Sequence, residues 1–258
     1  MQNIFQDFQK EEFDCNYEEW LTTLNEYRST MEKKRTPNPD YVDPAAFITR
    51  LSEKMQEDGV YVADVGQNQI WSCGYHIVKK GKFLTSGGMG TMGYSIPAGI
   101  GAKMCTPDKQ VVVVCGDGSF QMTSEELAAA FHDHTPVKIA LLNNSVYGMV
   151  RQWQTLFYGE HYSATNLMDG ENTPEIVDVP DFVKLAEAYG CVGMRAFTEE
   201  EAVEAIKKAN EINDRPVLID FRVWKDAMVW PMVAAGDSND NVTYKPGVKP
   251  LQRAGEND

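Results

Sequence analysis

Several patterns that define common classes of protein are missing from this sequence. The five cysteines are scattered, odd in number and without CxxC spacing, and the four histidines show no ligand spacing. A zinc site and a disulfide framework are therefore not indicated, and the cysteines are typical of reduced, mostly buried thiols in a cytoplasmic protein. No apolar run approaches the length that spans a bilayer, and no signal-peptide pattern is recognisable.

Positive charge is also scarce. The chain has 24 Lys and Arg residues against 38 Asp and Glu, which gives a net charge of −14. A nucleic-acid backbone and an anionic membrane surface both attract basic proteins, so neither is expected as a partner. The length of 258 residues is ample for one large α/β domain and short for two.

The order of segments predicts one domain between two polar extensions. Residues 1–43 are rich in Glu and Lys and are expected to form a linker and packing arm around one amphipathic helix. Residues 44–236 are predicted to form the domain, and residues 237–258 a polar tail. The apolar stripe of the arm helix consists of Trp20, Leu21, Leu24, Tyr27 and Met31.

Strand and helix patterns alternate through the predicted domain. Such alternation is typical of a doubly wound, mainly parallel sheet with helices on both faces. Strands are expected at residues 60–65, 83–84, 111–115, 137–142, 192–196 and 217–223. Helices are expected at residues 45–55, 70–76, 94–105, 124–132, 148–158, 180–189 and 199–211.

The segment 116–149 carries the most specific chemical signal. Asp117 follows one predicted strand and Asn144 follows the next, so both are expected at the ligand-binding edge of a parallel sheet. Their oxygens, with a backbone carbonyl, suit a small hard cation such as Mg²⁺. Gly116 and Gly118 let a phosphate approach the backbone, and Ser119 is expected to cap the following helix and to offer its hydroxyl and amide to the same anion. Two solvated turns are the plainer alternative.

Two further loops follow predicted strands at the same edge. The first loop consists of Gly66, Gln67, Asn68 and Gln69 and offers backbone and side-chain amides to an anion, although an ordinary turn has the same composition. Residues 86–93 contain four glycines, including Gly90, which would be costly in a mere connector. We expect this backbone to wrap closely around a flat ring, with the thioether of Met92 projecting against it. A flexible loop is the alternative.

The spacing GDG, 24 residues (119–142), then NN resembles the signature of thiamine diphosphate enzymes. The resemblance implies that Asp117, Asn144 and the backbone carbonyl of Val146 hold the Mg²⁺ that clamps the cofactor's diphosphate.

Longer motifs are similar to one branch of that family. Four stretches resemble the C-terminal, diphosphate-binding third of acetolactate synthase catalytic subunits, and the resemblance covers roughly residues 64–236. The stretches are SGGMGTMGYSIPAGIGAK, GDGSFQMTSEEL, NNSVYGMVRQWQ and VWPMVAAG. The resemblance implies that Met92 bends the cofactor into a V shape and that Trp153 flanks the acceptor-substrate channel. A buried core tryptophan is the alternative for Trp153. The implied cofactor-binding residues are Val65, Gly66, Gln67, Asn68 (where the family more often has His), Gly90, Met92, Gly116, Asp117, Gly118, Ser119, Asn144, Val146, Gly148 and Met149.

The implied activity is the decarboxylation of pyruvate and ligation of its hydroxyethyl unit to a second 2-oxo acid, as in branched-chain amino acid biosynthesis. Met92, Met149 and Trp153 are the implied catalytic residues, and Met149, Trp153 and residues 231–233 are expected near the substrate entrance. The family also needs a glutamate on a separate pyrimidine-binding domain, and FAD on a middle domain. Neither domain is recognisable here, so we expect a companion chain or domain, a homo- or hetero-oligomer, and no activity from this chain alone. The sequence leaves open whether the chain is a natural split subunit or a fragment.

Two other functions stay open. One keeps the cofactor in a different reaction, as a split 2-oxo acid decarboxylase or as the small subunit of a 2-oxo acid:ferredoxin oxidoreductase, although the clustered cysteines that the latter needs are absent. The other is a non-catalytic module that uses the sheet edge to assemble with a partner. Cofactor titration separates the enzymes from the module, and product analysis with a companion chain separates the two reactions.

Overall fold

The computed structural model describes residues 17–32, 37–167, 179–234, 236–238 and 241–244. These form two compact units, Asn38–Val229 and a smaller one drawn from residues 17–37 and 230–244. The predicted division at residues 43 and 236 stays a prediction.

The larger unit alternates helices and strands along the chain. Its helices are α2 (Pro44–Lys54), α3 (Gln67–Tyr75), α4 (Ser95–Cys105), α5 (Asp117–Phe120), α6 (Leu127–His132), α7 (Gly148–Phe157), α8 (Phe182–Ala188) and α9 (Glu199–Glu211), and a 3-10 turn covers Ser124–Glu126. Its strands are β1 (Val60–Ala63), β2 (Lys82–Thr85), β3 (Val111–Gly116), β4 (Lys138–Asn143), β5 (Val192–Ala196) and β6 (Val217–Arg222).

The six strands form one sheet in the order β2-β1-β3-β4-β6-β5, and every pairing is parallel. Parallel neighbours need a crossover connection, which the intervening helices supply. The predicted doubly wound parallel sheet is confirmed.

Alternate residues of each strand enter two separate hydrophobic cores, one on each face of the sheet. On β3, Val112 and Val114 enter the core that α2, α3 and α9 cover, whereas Val111 and Val113 enter the core that α4, α6 and α8 cover. Each fully buried valine of this kind contributes roughly 1.5–3 kcal/mol relative to exposure. Burial on both faces explains why the strands appear in the sequence as continuous apolar runs.

The strand order places a crevice at one edge of the sheet. From β1 the chain moves outward to β2 and then returns to β3 on the other side of β1. Loops that leave β1 and β3 at such a reversal diverge, and ligands of open α/β sheets bind in the opening between them. The segments after β1 and β3 begin at Asp64 and Asp117.

Three local expectations are wrong. The segment after β1 is already helical at Gln67, because Gly66 takes the positive φ of 121° that lets the chain turn directly into α3. The acidic turn after β3 is the short helix α5, so Ser119 lies inside a helix and does not cap the next one; its hydroxyl donates to the carbonyl of Gly116 at 3.1 Å. Cys73 and Cys105 are exposed, although burial was expected for most of the cysteines. That expectation rested on residue type alone, which does not decide the position of a side chain in the fold.

The smaller unit contains α1 (Glu18–Glu32) and an antiparallel pair, β7 (Met232–Val233) and β8 (Val242–Thr243). On α1, Trp20, Leu21 and Leu24 are exposed. The expected packing of this stripe on a partner stays a prediction. Within the residues that the structure describes, no helix is both long and apolar enough to cross a membrane.

One histidine is expected to make the stability of the domain depend on pH. His76 stacks on Tyr61 and contacts the hydroxyl of Ser52, and burial, together with the charge of Lys79, lowers its pKa from 6.5 to about 4. Between these pH values the unfolded chain binds a proton that the folded chain does not, so the free energy of unfolding falls as the pH falls from 6.5 towards 4. Urea unfolding at several pH values should show a steeper acid loss for the native chain than for His76→Phe. Equal losses would contradict the prediction.

Candidate active site

The crevice at the sheet reversal is a cleft that encloses about 520 Å³ of space when the open solvent at its mouth is counted. Its walls come from the segments after β1, β3 and β4, with contributions from the glycine-rich loop and from two strands. The lining residues are Val65, Gly66, Gln67, Asn68, Trp71, Met92, Gly116, Asp117, Gly118, Ser119, Leu142, Asn144, Val146, Tyr147, Gly148, Met149, Val150 and Val223.

Asp117 joins two of these segments. Its carboxylate accepts the N–H of Gly118 at 3.0 Å and the N–H of Ser145 at 2.7 Å, and its side chain is buried. Burial raises the pKa of Asp117 to about 7, against the opposing effect of these two N–H donors and of the charge of Arg222. A bound cation would supply the charge compensation that the surroundings provide only in part.

Asn144 directly follows β4 and lines the cleft. Its Nδ2 donates to Oε1 of Gln67 at 3.3 Å, while its Oδ1 accepts the N–H of Val146 at the same distance. The side-chain oxygen of Asn144 therefore lies on the side of Val146, the residue whose carbonyl the sequence motif placed with it. Carboxylate, amide and carbonyl oxygens are the ligand types that Mg²⁺ prefers.

Helix starts surround the cleft. Gly66, Gly116 and Tyr147 precede α3, α5 and α7, and none of the three helices has a side-chain hydrogen bond at its N-terminal cap. The first N–H groups of a helix carry partial positive charge and lack partners within the helix. Uncapped starts beside one cleft suit an anionic group such as a phosphate.

The backbone at Gly118 is pressed close to its surroundings. A Cβ atom at this position would stand 2.6 Å from the ring of Tyr147 and 3.8 Å from the terminal methyl of Met92. Only glycine fits here, and Met92 projects to the same place. Among the described residues no three His, Cys, Asp or Glu side chains form a metal cluster, so a cation in the cleft would rely on amide and carbonyl oxygens as well as on Asp117. The cleft thus fits a metal–diphosphate group.

A buried carboxylate that sequence reasoning missed holds the glycine-rich loop. Asp64, at the end of β1, accepts the N–H of Gly93 at 3.0 Å, and the N–H of Ser95 at 2.9 Å. These bonds fix the end of the loop that carries Met92. An aspartate directly after an apolar strand was the available sequence signal, because a buried carboxylate must have partners.

Most of the predicted site residues meet in the cleft. The two exceptions are Gly90, which is not among the described residues that line the cleft, and Trp153, which packs against Phe157 with ring centroids 5.1 Å apart. Trp153 is half-buried on α7, and its expected place at a substrate channel stays a prediction.

Five lining residues were not anticipated from the sequence. They are mostly apolar or aromatic, and nothing in their spacing distinguishes them from core residues: Trp71, Leu142, Tyr147, Val150 and Val223. Arg222 was also missed; its Nη2 donates to the hydroxyl of Ser145 at 3.1 Å. A charged residue at the end of a mostly apolar strand was the signal.

Comparison with known proteins agrees with this geometry. Residues 64–221 match the family model described as thiamine pyrophosphate enzyme, C-terminal TPP binding domain. In structure, the chain is similar to a thiamine diphosphate-dependent 4-hydroxybenzoylformate decarboxylase of Rhodococcus jostii RHA1, with a TM-score of 0.62 and 28% identity over 75% of this chain and 35% of that one.

Curated relatives are acetolactate synthases. The chain is 47% identical over 90% of its length to the acetolactate synthase of Mycobacterium leprae and to the acetolactate synthase large subunit of Corynebacterium glutamicum, and it spans 37% of each. It is 38% identical over 91% of its length to the mitochondrial acetolactate synthase catalytic subunit of Saccharomyces cerevisiae, of which it spans 34%. The resemblance inferred from the motifs is confirmed. The chain belongs to the thiamine pyrophosphate (thiamine diphosphate) enzyme family, and it carries the C-terminal cofactor-binding domain of that family.

Proposed function

We propose that this chain is the diphosphate-binding part of a thiamine diphosphate-dependent acetolactate synthase. The observation that carries the proposal is the meeting of Asp117 and Asn144, from the ends of β3 and β4, in one cleft at the sheet reversal. The identity to acetolactate synthases over 90% of the chain supports this reaction within the family. The implied substrates are pyruvate and a second 2-oxo acid.

In this proposal the cofactor's diphosphate lies against the helix starts at Gly66 and Gly116. Asp117, Asn144 and the carbonyl of Val146 hold Mg²⁺, because they provide one anionic and two neutral oxygens around the same place. The N–H groups of Gln67 and Asn68 at the start of α3 face the phosphate oxygens. Gly90, Gly148 and Ser119 belong to the same proposed set.

The protein's own contribution to the reaction is binding, orientation and exclusion of water. Thiamine diphosphate, when bound, supplies the carbon acid and the electron sink that decarboxylation of a 2-oxo acid requires. Met92 offers an apolar thioether to the flat part of the cofactor, held by the loop that Asp64 fixes. Met149 lines the same cleft and helps to keep water from it. Trp153 is proposed to lie near the substrate entrance.

The group that activates the cofactor has to come from outside this cleft. Of the described lining residues, Asp117 is the one with a carboxyl group, and no glutamate lines the cleft. The chain spans 37% of its bacterial relatives, so the proposed pyrimidine-binding glutamate, and any FAD, would belong to a companion chain or to a further part of a longer chain. A homo- or hetero-oligomer in the cytoplasm completes the proposal.

Isolated chain and completed complex are expected to differ in activity. By calorimetry, the isolated chain should bind thiamine diphosphate weakly and only with Mg²⁺. It should form no acetolactate from pyruvate, because no glutamate lines its cleft among the described residues. Addition of a companion chain that carries the pyrimidine-binding domain should give 2-acetolactate, or 2-aceto-2-hydroxybutyrate when 2-oxobutyrate is added. A companion chain without its glutamate serves as the control.

Two results would contradict different parts of the proposal. Absence of Mg²⁺-dependent binding would contradict the proposal that the chain binds thiamine diphosphate. Acetolactate formation by the purified chain alone would contradict the proposal that a companion chain or domain is needed.

A simple decarboxylase is the second candidate, and the structural similarity to a 4-hydroxybenzoylformate decarboxylase favours it. The two candidates differ in their products. Release of an aldehyde without ligation to a second 2-oxo acid, in the same completed complex, would identify the decarboxylase.

A further inference from the structure

A chain of buried amide groups extends from the proposed metal ligand into the body of the domain. Asn144 donates to Oε1 of Gln67 at 3.3 Å, and Nε2 of Gln67 donates to Oε1 of Gln152 at 2.9 Å. Gln152, on α7, is 1% exposed. Such a chain has a direction, because each amide group presents a donor on one side and an acceptor on the other.

Backbone groups set that direction. The N–H of Val229 donates to Oε1 of Gln152, and the carbonyl of Val229 accepts from Nε2 of Gln152, both at 2.9 Å. Reversal of the Gln152 amide would place donor against donor and acceptor against acceptor. Nε2 of Gln67 also donates to the carbonyl of Ala227 at 2.9 Å, so the orientation of Gln67 is fixed in the same way.

The fixed orientation of Gln67 determines which side of the Asn144 amide faces it. Because Nε2 of Gln67 is held by Ala227 and Gln152, its Oε1 is the group that faces Asn144 and takes the donor side of that amide. The oxygen of Asn144 is left on the side of Val146 and is available to a cation. A reversed amide would present N–H₂ to the cation, which cannot act as a ligand.

We propose that Gln152 is a positioning residue that fixes, through Gln67, the direction of the Asn144 amide and so keeps its oxygen towards a divalent cation. The inference rests on the proposed function, since it concerns the same metal–diphosphate site. Gln152 acts on a ligand and not on the cation itself. Groups that orient a metal ligand in this way typically change metal affinity by about 10–100-fold when removed.

The test measures Mg²⁺ affinity by calorimetry in the full chain with saturating thiamine diphosphate. Gln152→Met keeps the size of the side chain and removes its donor and acceptor, and it should weaken Mg²⁺ binding about tenfold or more. Gln152→Glu, which in its neutral form again offers a donor and an acceptor, should bind Mg²⁺ more tightly than Gln152→Met when both are compared with the native chain at the same acidic pH. If Gln152→Met does not fold, Gln152→Asn withdraws the amide by one methylene and carries the same expectation.

A double-mutant cycle separates positioning from general loss of structure. Asn144→Asp has an oxygen on both sides of the group, so its metal ligand does not depend on the direction of the amide chain. In that background Gln152→Met should change Mg²⁺ affinity less than about twofold, a departure from additivity that an independent structural effect does not give. Gln110→Met is the matched control, because Gln110 bonds Gln56 near the amino ends of β1 and β3, away from the cleft. It should leave the affinity unchanged.

Each outcome decides one question. A tenfold loss that disappears in the Asn144→Asp background supports the inference. Unchanged affinity of Gln152→Met, or the same loss in both backgrounds, overturns it while leaving the proposed function in place. If the native chain binds no Mg²⁺ with thiamine diphosphate, the proposed function fails, and the inference fails with it.

Discussion

Asp117→Asn is expected to abolish Mg²⁺-dependent binding of thiamine diphosphate. Among the residues that the structure describes, Asp117 is the one carboxylate that lines the cleft, and the substitution leaves a neutral amide of the same shape. Its single oxygen can accept from the N–H of Gly118 or of Ser145 but not from both, whereas the native carboxylate accepts from both. Because even indirect support of a metal ligand is worth about 10–100-fold in affinity, loss of the ligand should exceed that range.

Calorimetry with Mg²⁺ and thiamine diphosphate measures this effect, and thermal unfolding checks that the variant is folded. Asp108→Asn makes the same change of charge in the exposed turn after α4 and should bind as the native chain does. Saturable binding by Asp117→Asn with an affinity within tenfold of the native chain would remove Asp117 from the proposed metal site.

Gly148→Ala is expected to have the second largest effect. A Cβ atom on this first residue of α7 would stand 2.1 Å from Oε1 of Gln67 and 2.7 Å from Nδ2 of Asn144. Gln67 cannot yield without loss of its bonds to Gln152 and Ala227. Overpacking of this kind costs about 1–3 kcal/mol, which corresponds to a loss of binding of up to about a hundredfold if it falls on the bound state.

The matched control is Gly101→Ala, also in a helix. A Cβ atom there meets nothing within 4 Å, so the substitution should leave binding unchanged and raise the free energy of unfolding by up to about 1 kcal/mol. Unfolding in urea and calorimetric titration measure both quantities. If Gly148→Ala binds and unfolds like the native chain, the close contact with the Gln67–Asn144 pair does not constrain the site.

Local patterns were enough to predict the framework of the domain. The continuous apolar run 111–115 and the periodic run 199–211 identify a buried strand and an amphipathic helix, because the side-chain pattern is a local property of the chain. Asp117 and Asn144 were also found from sequence, since each directly follows such a strand. The first and last residues of short helices were harder to predict from the sequence. Gly66 permits an abrupt turn into α3 that no periodic pattern announces.

The parallel α/β class, the strand-end positions of Asp117 and Asn144 and the family resemblance could all be inferred from the sequence, because they depend on residues close together in the chain. The tertiary structure was needed to show which strand ends are neighbours, and hence that Gly66 and Asp117 line one cleft. It was needed as well to show that Gln152 bonds Gln67, 85 residues away, because such a contact depends on how the folded chain brings α7 near α3 and not on any local pattern. Burial of Asp117, and with it the raised pKa, likewise arises only when the loops after β3 and β4 close over the carboxylate.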